Sequence, residues 1–536
     1  MSLHIREKKN SSGSISVQII DRKNRGYKVV ETIGCAKCET EKRFYLDIAS
    51  TRLEELNKKL YPTLFDCTEN KDKNDDTLEF ISLSNKDLIP IGDELIYGKL
   101  FEDIGCSNID INNKEHSLFK ALVISRLLYP GSKLYLIDYL AYFKREHIDK
   151  NQIYRFLDAL YSDSVKQQIE KCIFTHTKKI MDNTITVTFY DVTTLHFESE
   201  SEDDLRRIGF SKEGKLNRPQ IQLGLFTTLQ GYPLSFEVYE GNKFEGHTLT
   251  DVLQKFQTRF QIKNKPIVVA DKGMLSSANI AFLEKNNYKY ILAYKIKNID
   301  RELKEKIANL TFLDDGVIHT IEIEKEIIYK DDEDKNQKLK IKQRLILTYS
   351  SKRAKKDKRT REKALQKIDI ALDKKNITKS DLKLSYYAKY LDIDDKCNIK
   401  YKLNPDKVQI DAKLDGIKGF ATNDFTIKPE DVIAHYQNQY AVERAFRISK
   451  TDLRIRPIYH RLQNRIKAHV LVSFVSYAIF MEFERRLKLK NIKFKFSQKL
   501  LRDIIKHMHA LDIQGKLFYL TFDDVQQTIY DIVRNK

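Results

Sequence analysis

Three acidic residues, Asp191, Asp271 and Glu443, are the strongest candidates for chemistry in this sequence. Asp191 comes at the end of a β-rich segment, Ile185 to Val192, and Asp271 directly follows the apolar run Pro266 to Ala270. A charged residue next to a buried strand is costly unless it faces a site or a metal ion. Strand ends are also where α/β sheets place their chemistry. Either aspartate alone is explained equally well as a helix or turn cap, so the third acid matters.

Glu443 belongs to a helix that is predicted to begin at Pro429, because proline suits the first helical position. The helix is expected to extend to about Lys450. At about 100° per residue, four residues fall within roughly 60° of one another on one stripe, with Phe446 and Arg447 beside them: Tyr436, Gln439, Glu443 and Lys450. A surface pair of Glu443 with Arg447 explains the charges, but not why the stripe follows two strand-end aspartates.

Three converging carboxylates repel one another and need cations in order to coexist. Oxygen ligands favour hard ions, so Mg²⁺ or Mn²⁺ is expected. Two such ions, roughly 3.5–4 Å apart, can serve the attacking and leaving oxygens of an in-line displacement at phosphorus. Nearby lysines and arginines would neutralise phosphate charge. The pattern therefore predicts metal-dependent phosphoryl transfer.

The composition is that of a basic protein with several domains. The chain has 536 residues, is 41% hydrophobic and carries a formal net charge of +19. A polyanionic partner is expected, nucleic acid first, although simple solubility also explains a basic surface. Met1 to Asn10 is polar, and the longest apolar stretch, Val470 to Phe483, is shorter than the roughly 20 residues of a membrane span. We therefore expect a buried helix there, no membrane partner and a cytoplasmic protein.

The cysteines do not indicate a disulfide framework, because six are spread over a long chain. Cys35 and Cys38 form one C-x-x-C pair without a second close pair. Structural zinc sites use four ligands, so reduced thiols are the expected state and a zinc site is the weaker alternative.

The elements around the two aspartates have the order β-β-β-α-β-α-β, which predicts a mixed sheet with helices. An antiparallel hairpin comes before the parallel crossovers. The segments that carry this prediction after Ile185–Val192 are Gln220–Thr228, Pro233–Tyr239, Thr248–Phe260, Pro266–Ala270, Ser276–Asn286 and Tyr290–Tyr294.

The flanking regions are predicted from their periodicity. A hairpin is expected from Ile15–Ile20 and Tyr27–Ile33 around Asn24-Arg25-Gly26. Four short helices near 117–128, 134–146, 151–161 and 164–178 suit a DNA-binding module or a plain helical subdomain equally well. The basic run Lys352–Lys363 is most simply a solvated helix face, with contact to a DNA backbone as the second interpretation.

These patterns divide the chain into six predicted regions. The division is an N-terminal β-containing region at 1–115, a helical DNA-binding region at 116–180, a first core part at 181–297, a strand-rich insertion domain at 298–425, a last core part with the Glu helix at 426–487, and a helical tail at 488–536. Residues 40–115 show no clear pattern.

Several motifs in this order resemble the RNase H-like DDE transposases of bacterial insertion sequences, in the branch with a Tyr-Arg-Glu-Lys signature. The similarity covers about Ser117 to Phe483. It rests on Tyr190-Asp191-Val192-Thr193-Thr194, Gly209-Phe210-Ser211-Lys212 with Pro219-Gln220, Gly241-Asn242, Asp271-Lys272-Gly273, and a Y-x2-R-x3-E-x6-K pattern at Tyr436, Gln439, Glu443 and Lys450, continued by Arg454 to His460.

The resemblance implies an α/β fold with an RNase H-like mixed-sheet core, in which the first and fourth strands are neighbours. It implies that Asp191, Asp271 and Glu443 bind two Mg²⁺ or Mn²⁺ ions and catalyse cut-and-paste transposition. The implied partners are terminal inverted repeats and target DNA, bound by a homodimer or larger synaptic assembly. The implied DNA contacts are Tyr436, Gln439, Arg447, Lys450, Arg454, Arg456 and His460.

Two features depart from the family pattern. Gln439 stands where the signature has arginine, with Arg444 and Arg447 as candidates to replace its charge. The chain has no tryptophan, the residue on which hairpin-forming relatives often stack a flipped base, so the hairpin step is left open. The alternatives are an RNase H-like structure-specific nuclease and an inactive, transposase-derived DNA-binding regulator.

Overall fold

The computed structural model forms two compact units, Met1–Leu83 and Ser84–Lys536. It describes residues 3–23, 26–60, 87–144, 146–210, 217–243, 246, 248–262, 264–271, 276–312, 314–330, 335–373, 389–394, 400–490, 497–513 and 516–534. The six-part division of the chain stays a prediction.

The first unit is a three-stranded antiparallel sheet followed by a helix. Its strands, in spatial order, are β1 (Leu3–Lys9), β2 (Ile15–Lys23) and β3 (Gly26–Ala36), and its helix is α1 (Glu39–Leu60). The helix lies so close to β3 that a Cβ on Gly34 would come within 2.5 Å of the Tyr45 ring. The predicted hairpin is confirmed as β2 and β3, while its turn residues 24 and 25 lie outside the described residues.

The second unit is built on an eight-stranded mixed sheet. Five of its strands form the predicted core: β5 (Val187–His196), β6 (Gln220–Thr228), β7 (Pro233–Glu240), β8 (Ile267–Ala270) and β9 (Tyr290–Tyr294). The pairs β5–β8 and β8–β9 are parallel. Three later strands, β10 (Ile318–Lys330), β11 (Asn336–Tyr349) and β14 (Ile417–Thr422), complete the sheet. The full spatial order is β10-β11-β14-β9-β8-β5-β6-β7, so the first and fourth core strands are neighbours, as expected.

Strand β5 is buried on both faces because helices cover both sides of the sheet. Tyr190 and Val192 pack with α7 (Thr248–Phe260) and α8 (Ser277–Lys285). Phe189 and Leu195 point to the opposite face and join the largest hydrophobic core. Alternation along the strand therefore places Asp191 on the face of that larger core.

One sequence expectation about β5 is wrong. The pattern predicts that Asp191 ends its strand, but β5 continues to His196, because β6 stays paired with it from Thr188 to His196. Asp191 is instead the point at which the shorter neighbour β8 stops.

The helical region before the sheet agrees with the prediction. Its helices are α2 (Lys99–Asp103), α3 (Asn113–Leu128), α4 (Lys133–Phe143), α5 (Lys150–Leu160) and α6 (Asp163–Ile180). Side chains of Asn112, Ser132, Asp149 and Ser162 cap the last four, which explains where each of these helices begins.

The predicted insertion is rich in strands, but its long strands extend the core sheet instead of forming a sheet of their own. Strand β14 pairs with β9, β11 with β14, and β10 with β11, all antiparallel. The elements are α9 (Arg301–Ala308), β10 (Ile318–Lys330), β11 (Asn336–Tyr349), α10 (Ser351–Asp373), β12 (Leu391–Asp394), β13 (Lys400–Leu403), α11 (Pro405–Lys413) and β14 (Ile417–Thr422). The basic run lies on α10, which confirms the prediction of a helix with a solvated face.

The helix predicted from Pro429 to Lys450 is not continuous. It is divided into α12 (Pro429–Gln437), α13 (Tyr440–Arg447) and a π-helical turn, Ile448–Asp452. At the break, the amide of Gln439 donates to the carbonyl of Tyr436 and the amide of Val442 donates to that of Gln439, three residues back in each case. The predicted stripe assumes an uninterrupted rotation of about 100° per residue. The tighter turn rotates the residues after it relative to those before it, so the four residues do not form one continuous stripe.

A long buried helix, α14 (Gln463–Leu489), packs against α3 and α5. Within the described residues, it is the one helix long and apolar enough to cross a membrane, and 94% of its most apolar window is buried inside the protein. This burial confirms the prediction of a core helix over Val470–Phe483.

The tail is only partly helical, which corrects the expectation of a helical tail. Helices α15 (Gln498–Lys506) and α16 (Asp524–Arg534) flank the hairpin β15 (His509–Ile513) and β16 (Lys516–Tyr519). Strand β15 also pairs with β4 (Leu88–Pro90). This non-local pairing explains why neither segment is recognisable from periodicity.

Glu482, which has no exposed surface, connects α14 to the earlier helices through ion pairs. Its carboxylate accepts hydrogen bonds from Arg485 at 2.6 and 2.8 Å and from Arg486 at 2.7 Å. Arg486 also donates to Asp103 at 2.8 Å, and the His176 ring lies 3.2 Å from Glu482. Although burial opposes ionisation, these hydrogen bonds hold the pKa of Glu482 at about 2.

We predict that Glu482→Gln lowers the free energy of unfolding by about 3 kcal/mol, because it leaves the partly buried Arg485 and Arg486 without their counter-charge. The folded carboxylate stays charged down to a pKa of about 2, whereas the unfolded one takes up a proton near 4.5. The stabilising effect is therefore present above pH 4.5 and is lost as the pH falls from there towards 2. Urea unfolding at several pH values measures the difference between wild type and variant.

Glu146→Gln is the matched control, because Glu146 is exposed and its charge should change stability by less than about 0.5 kcal/mol. Equal unfolding midpoints for all three proteins at neutral pH would show that the ion-pair network does not stabilise the fold.

Candidate active site

Asp191 and Asp271 come together because β5 and β8 are parallel neighbours. The register of the two strands pairs Tyr190 with Ala270, the last residue of β8. Asp191 and Asp271 each follow one of these paired residues, so they lie side by side. Neighbouring strands lie about 4.8 Å apart. Both side chains are partly exposed, and the Asp191 carboxylate accepts from the Val192 amide at 2.8 Å.

Tyr436 of α12 connects the third carboxylate to this pair. Its hydroxyl donates to the Asp271 carboxylate at 3.2 Å, and its ring packs against Phe420 of β14 with centroids 4.8 Å apart. Burial raises the pKa of Tyr436, and the negative charges of Asp271, Glu443 and Asp191 raise it further. One hydroxyl therefore lies within electrostatic range of all three carboxylates.

Lys450 brings a cation to the same face of the sheet. Its ammonium donates to the Thr193 hydroxyl at 2.7 Å, and Thr193 follows Asp191 by two residues on β5. Because strand side chains alternate, Thr193 and Asp191 share a face. Sequence reasoning missed Thr193 as a supporting residue, although this period of two could have identified it.

The donor types of the three carboxylates fit a metal site more closely than their arrangement does. Three carboxylates that are open to solvent suit a hard divalent cation. Within the described ranges, however, no three or more His, Cys, Asp and Glu side chains already stand close enough together to enclose a metal ion. The side chains fit the chemistry of a divalent ion, but they do not form a closed ligand cage.

The structure does not present all of the predicted DNA contacts at this centre. Gln439 is only 8% exposed and lies at the helix break, so it is not available as a direct DNA contact. Arg444 is paired with Glu484 and does not replace the missing signature arginine. Arg447 is exposed one turn after Glu443 and is the better candidate for that charge.

The continuation of the signature forms a second group. Arg454, Arg456 and His460 line a cavity of about 440 Å³, together with Tyr154 and Tyr459. Phe197, the residue directly after β5, bridges to Ile458 in parallel. Phe197 is six residues after Asp191, so at 3.3 Å per residue this bridge lies roughly 20 Å from Asp191 along the strand direction.

A buried arginine holds this second group in place. Arg126 of α3 donates to the carbonyls of Leu453 and Arg454, both at 3.0 Å. Arg454 has a φ of 47°, which is uncommon for a residue other than glycine. His460 is only 9% exposed and packs edge-on against Tyr154, so it supports the cavity instead of presenting itself to DNA.

The remaining motifs meet near the end of β5. The side-chain amide of Gln220 donates to the backbone carbonyls of Phe210 at 3.0 Å and Gly241 at 2.9 Å. A Cβ on Gly241 would lie 2.1 Å from the Gln220 carbonyl, so glycine is required there by close approach. Residues 211, 212, 272 and 273 of the motifs lie outside the described residues.

We predict that Mn²⁺ binds at the carboxylates, and that Asp191→Asn and Asp271→Asn each weaken this binding at least about tenfold because they remove an anionic ligand. Titration calorimetry without DNA measures the affinity. The exposed Asp204 provides the control Asp204→Asn, which should bind Mn²⁺ as wild type does. Unchanged affinity in both active-site variants would exclude a metal at these residues.

Comparison with known proteins identifies the family. The family profile described as "Transposase DDE domain" matches residues 182–479, which is more than half of the chain. No curated protein sequence matches significantly. A solved structure of piggyBac transposase, as a synaptic complex with hairpin DNA, is similar over 78% of this chain and 79% of that one, with 10% identity. Its TM-score of 0.36 is too low to carry a structural argument. From the profile match, the chain belongs to the transposases with a DDE domain, which are enzymes that act on DNA.

Proposed function

We propose that this transposase performs cut-and-paste transposition, with Asp191, Asp271 and Glu443 as its catalytic carboxylates. The observation that carries the proposal is the parallel register of β5 and β8, which sets Asp191 beside Asp271, where the Tyr436 hydroxyl donates to the Asp271 carboxylate. The core strand order β9-β8-β5-β6-β7 supports an RNase H-like core. The signature spacing supports an origin in a bacterial insertion sequence, acting in the cytoplasm on the nucleoid.

Two phosphoryl transfers make up the reaction. In the first, a water oxygen bonds to phosphorus at the element's end and the bond to the 3′ oxygen breaks, leaving a 3′-OH. In the second, that 3′-OH attacks a phosphate of the target DNA and displaces another 3′ oxygen. Both steps require positioning and charge stabilisation more than covalent catalysis.

The chain's own residues would position the DNA and balance its charge. Asp191, Asp271 and Glu443 would hold two Mg²⁺ or Mn²⁺ ions, which supply charge stabilisation for the attacking and leaving oxygens. Lys450, anchored on Thr193, would neutralise a phosphate oxygen beside the cleaved bond, and Tyr436 would orient Asp271. Arg447 would contact the DNA backbone from the exposed side of α13.

The second group of residues would bind the same DNA farther along. A cavity lined by Arg454, Arg456 and Tyr459 offers cations and an aromatic face, which suit phosphates and bases. The basic N-terminal and helical regions would recognise the terminal inverted repeats. Because two ends must be joined, we propose a homodimer or larger synaptic assembly.

We predict that Asp191→Asn abolishes strand cleavage with Mg²⁺, with a loss of at least about a thousandfold, while leaving binding to an element end nearly unchanged. The amide keeps the shape of the side chain but not the charge that holds the cation. A gel assay on a duplex carrying the terminal repeat measures both properties, with Asp204→Asn as control. Full cleavage by the Asp191→Asn variant would refute the assignment.

A joining assay separates this proposal from its alternatives. A transposase should link the freed 3′-OH to a second duplex, whereas a structure-specific nuclease should cut branched DNA and join nothing. An inactive regulator should bind ends without cutting at any metal concentration. We expect joined products with Mg²⁺, and their absence alongside efficient cleavage would favour the nuclease.

A further inference from the structure

Helix α10 carries a continuous basic face that the proposed chemistry does not use. At about 100° per residue, six exposed cations fall within an arc of about 120° and extend for roughly 22 Å along the helix. We call this face the basic stripe. Its residues are Lys352, Lys355, Lys356, Arg359, Lys363 and Lys367.

The opposite face of α10 is fixed against the protein. Ala364 and Ile368 are buried with Tyr390 and Leu391 in a small hydrophobic cluster. Arg361, on the same buried side, is ion-paired with Asp415. These contacts turn the basic stripe towards solvent, and they occupy the apolar face that a membrane-surface helix would need.

The charges of the basic stripe are not balanced by neighbouring acids. In the part of the chain that the structure describes, the ion pairs made by α10 involve Arg353 and Arg361, both outside the stripe. Glu362 and Asp369, the exposed acids of the helix, also fall outside its arc. A row of unbalanced cations of this length attracts a polyanion.

The sheet places α10 at the edge that bears the carboxylates. Across the strands, Ala270 of β8 aligns with Leu292, Ala421 and Leu345 in turn. Strand β11 runs from Leu345 in the same direction as β8 runs towards Asp271, and α10 follows it directly. Three strand spacings separate β11 from β8, or about 14 Å.

We propose that the basic stripe binds the sugar-phosphate backbone of the duplex DNA that lies across the carboxylates. That this duplex is the one being cut rests on the proposed function. The binding of duplex DNA by the basic stripe does not depend on it. The stripe spans the length of about six base pairs at 3.4 Å each. Lysines and an arginine on a regular helix face contact phosphates without reading bases, so the binding is independent of sequence.

The test neutralises four positions of the stripe: Lys355→Gln, Lys356→Gln, Arg359→Gln and Lys363→Gln in one protein. Binding of a labelled random-sequence duplex of about 30 base pairs is measured by fluorescence anisotropy in EDTA over a range of NaCl concentrations. The expected affinity at about 100 mM NaCl is at least tenfold below wild type. The slope of log K against log [NaCl] should become less negative by up to about 3.6, or about 0.9 for each lost phosphate contact.

The control removes the same charge from the start of β11 and the residue directly before it, where four lysines lie away from the carboxylate edge: Lys335→Gln, Lys338→Gln, Lys340→Gln and Lys342→Gln. Its slope should change by less than about 1. Circular dichroism should show the same helix content in all proteins, since glutamine is a good helix former.

Three outcomes would overturn the proposal. An unchanged slope in the stripe variant would show that α10 does not contact DNA. Equal effects in both variants would show that only net charge matters. Stronger binding of poly-glutamate than of DNA by the wild type, lost in the stripe variant, would indicate an acidic protein partner. A wild type that binds no duplex at all would instead count against the proposed function as a whole.

Discussion

The parallel pairing of β5 with β8 is the constraint on which the rest of the structure depends. It sets Asp191 beside Asp271 at the point where β8 ends and β5 continues. Parallel strands need covered faces, and here α7 and α8 cover one side while α14 and its neighbours cover the other. The two acids therefore reach solvent only at the strand edge, where a polyanionic substrate can approach.

The third carboxylate reaches this edge because the insertion remains part of the sheet. Strand β14 pairs with β9, and the chain then enters α12, which packs against both strands. This packing brings the Tyr436 hydroxyl to Asp271 and, one helix later, Glu443 into range. The same arrangement makes β11 end at the carboxylate edge, so the basic helix α10 and the candidate active site lie at the same edge of the sheet.

Local sequence patterns predicted the elements of the core and the helices before it, because each buries one face with a regular period. They failed where structure depends on distant partners. The turn at Gln439 interrupts a pattern that reads as one helix, and β4 exists only because β15 pairs with it. The sequence of the insertion also does not show that β10, β11 and β14 pair onto the core sheet, because strand order across a sheet leaves no local trace.

By itself, the sequence determined the order of the mixed β-β-β-α-β-α-β core and a basic composition, and it singled out three acids as candidates for the chemistry. Only the tertiary structure decided which residues act together. It buried Gln439 and His460, anchored Lys450 on Thr193, and gathered Arg454 and Arg456 around a cavity with His460 and Tyr459. Residue types and their spacing can be read from the chain alone. The burial of a side chain, and the distance between two side chains, are set by contacts between segments that are far apart in sequence.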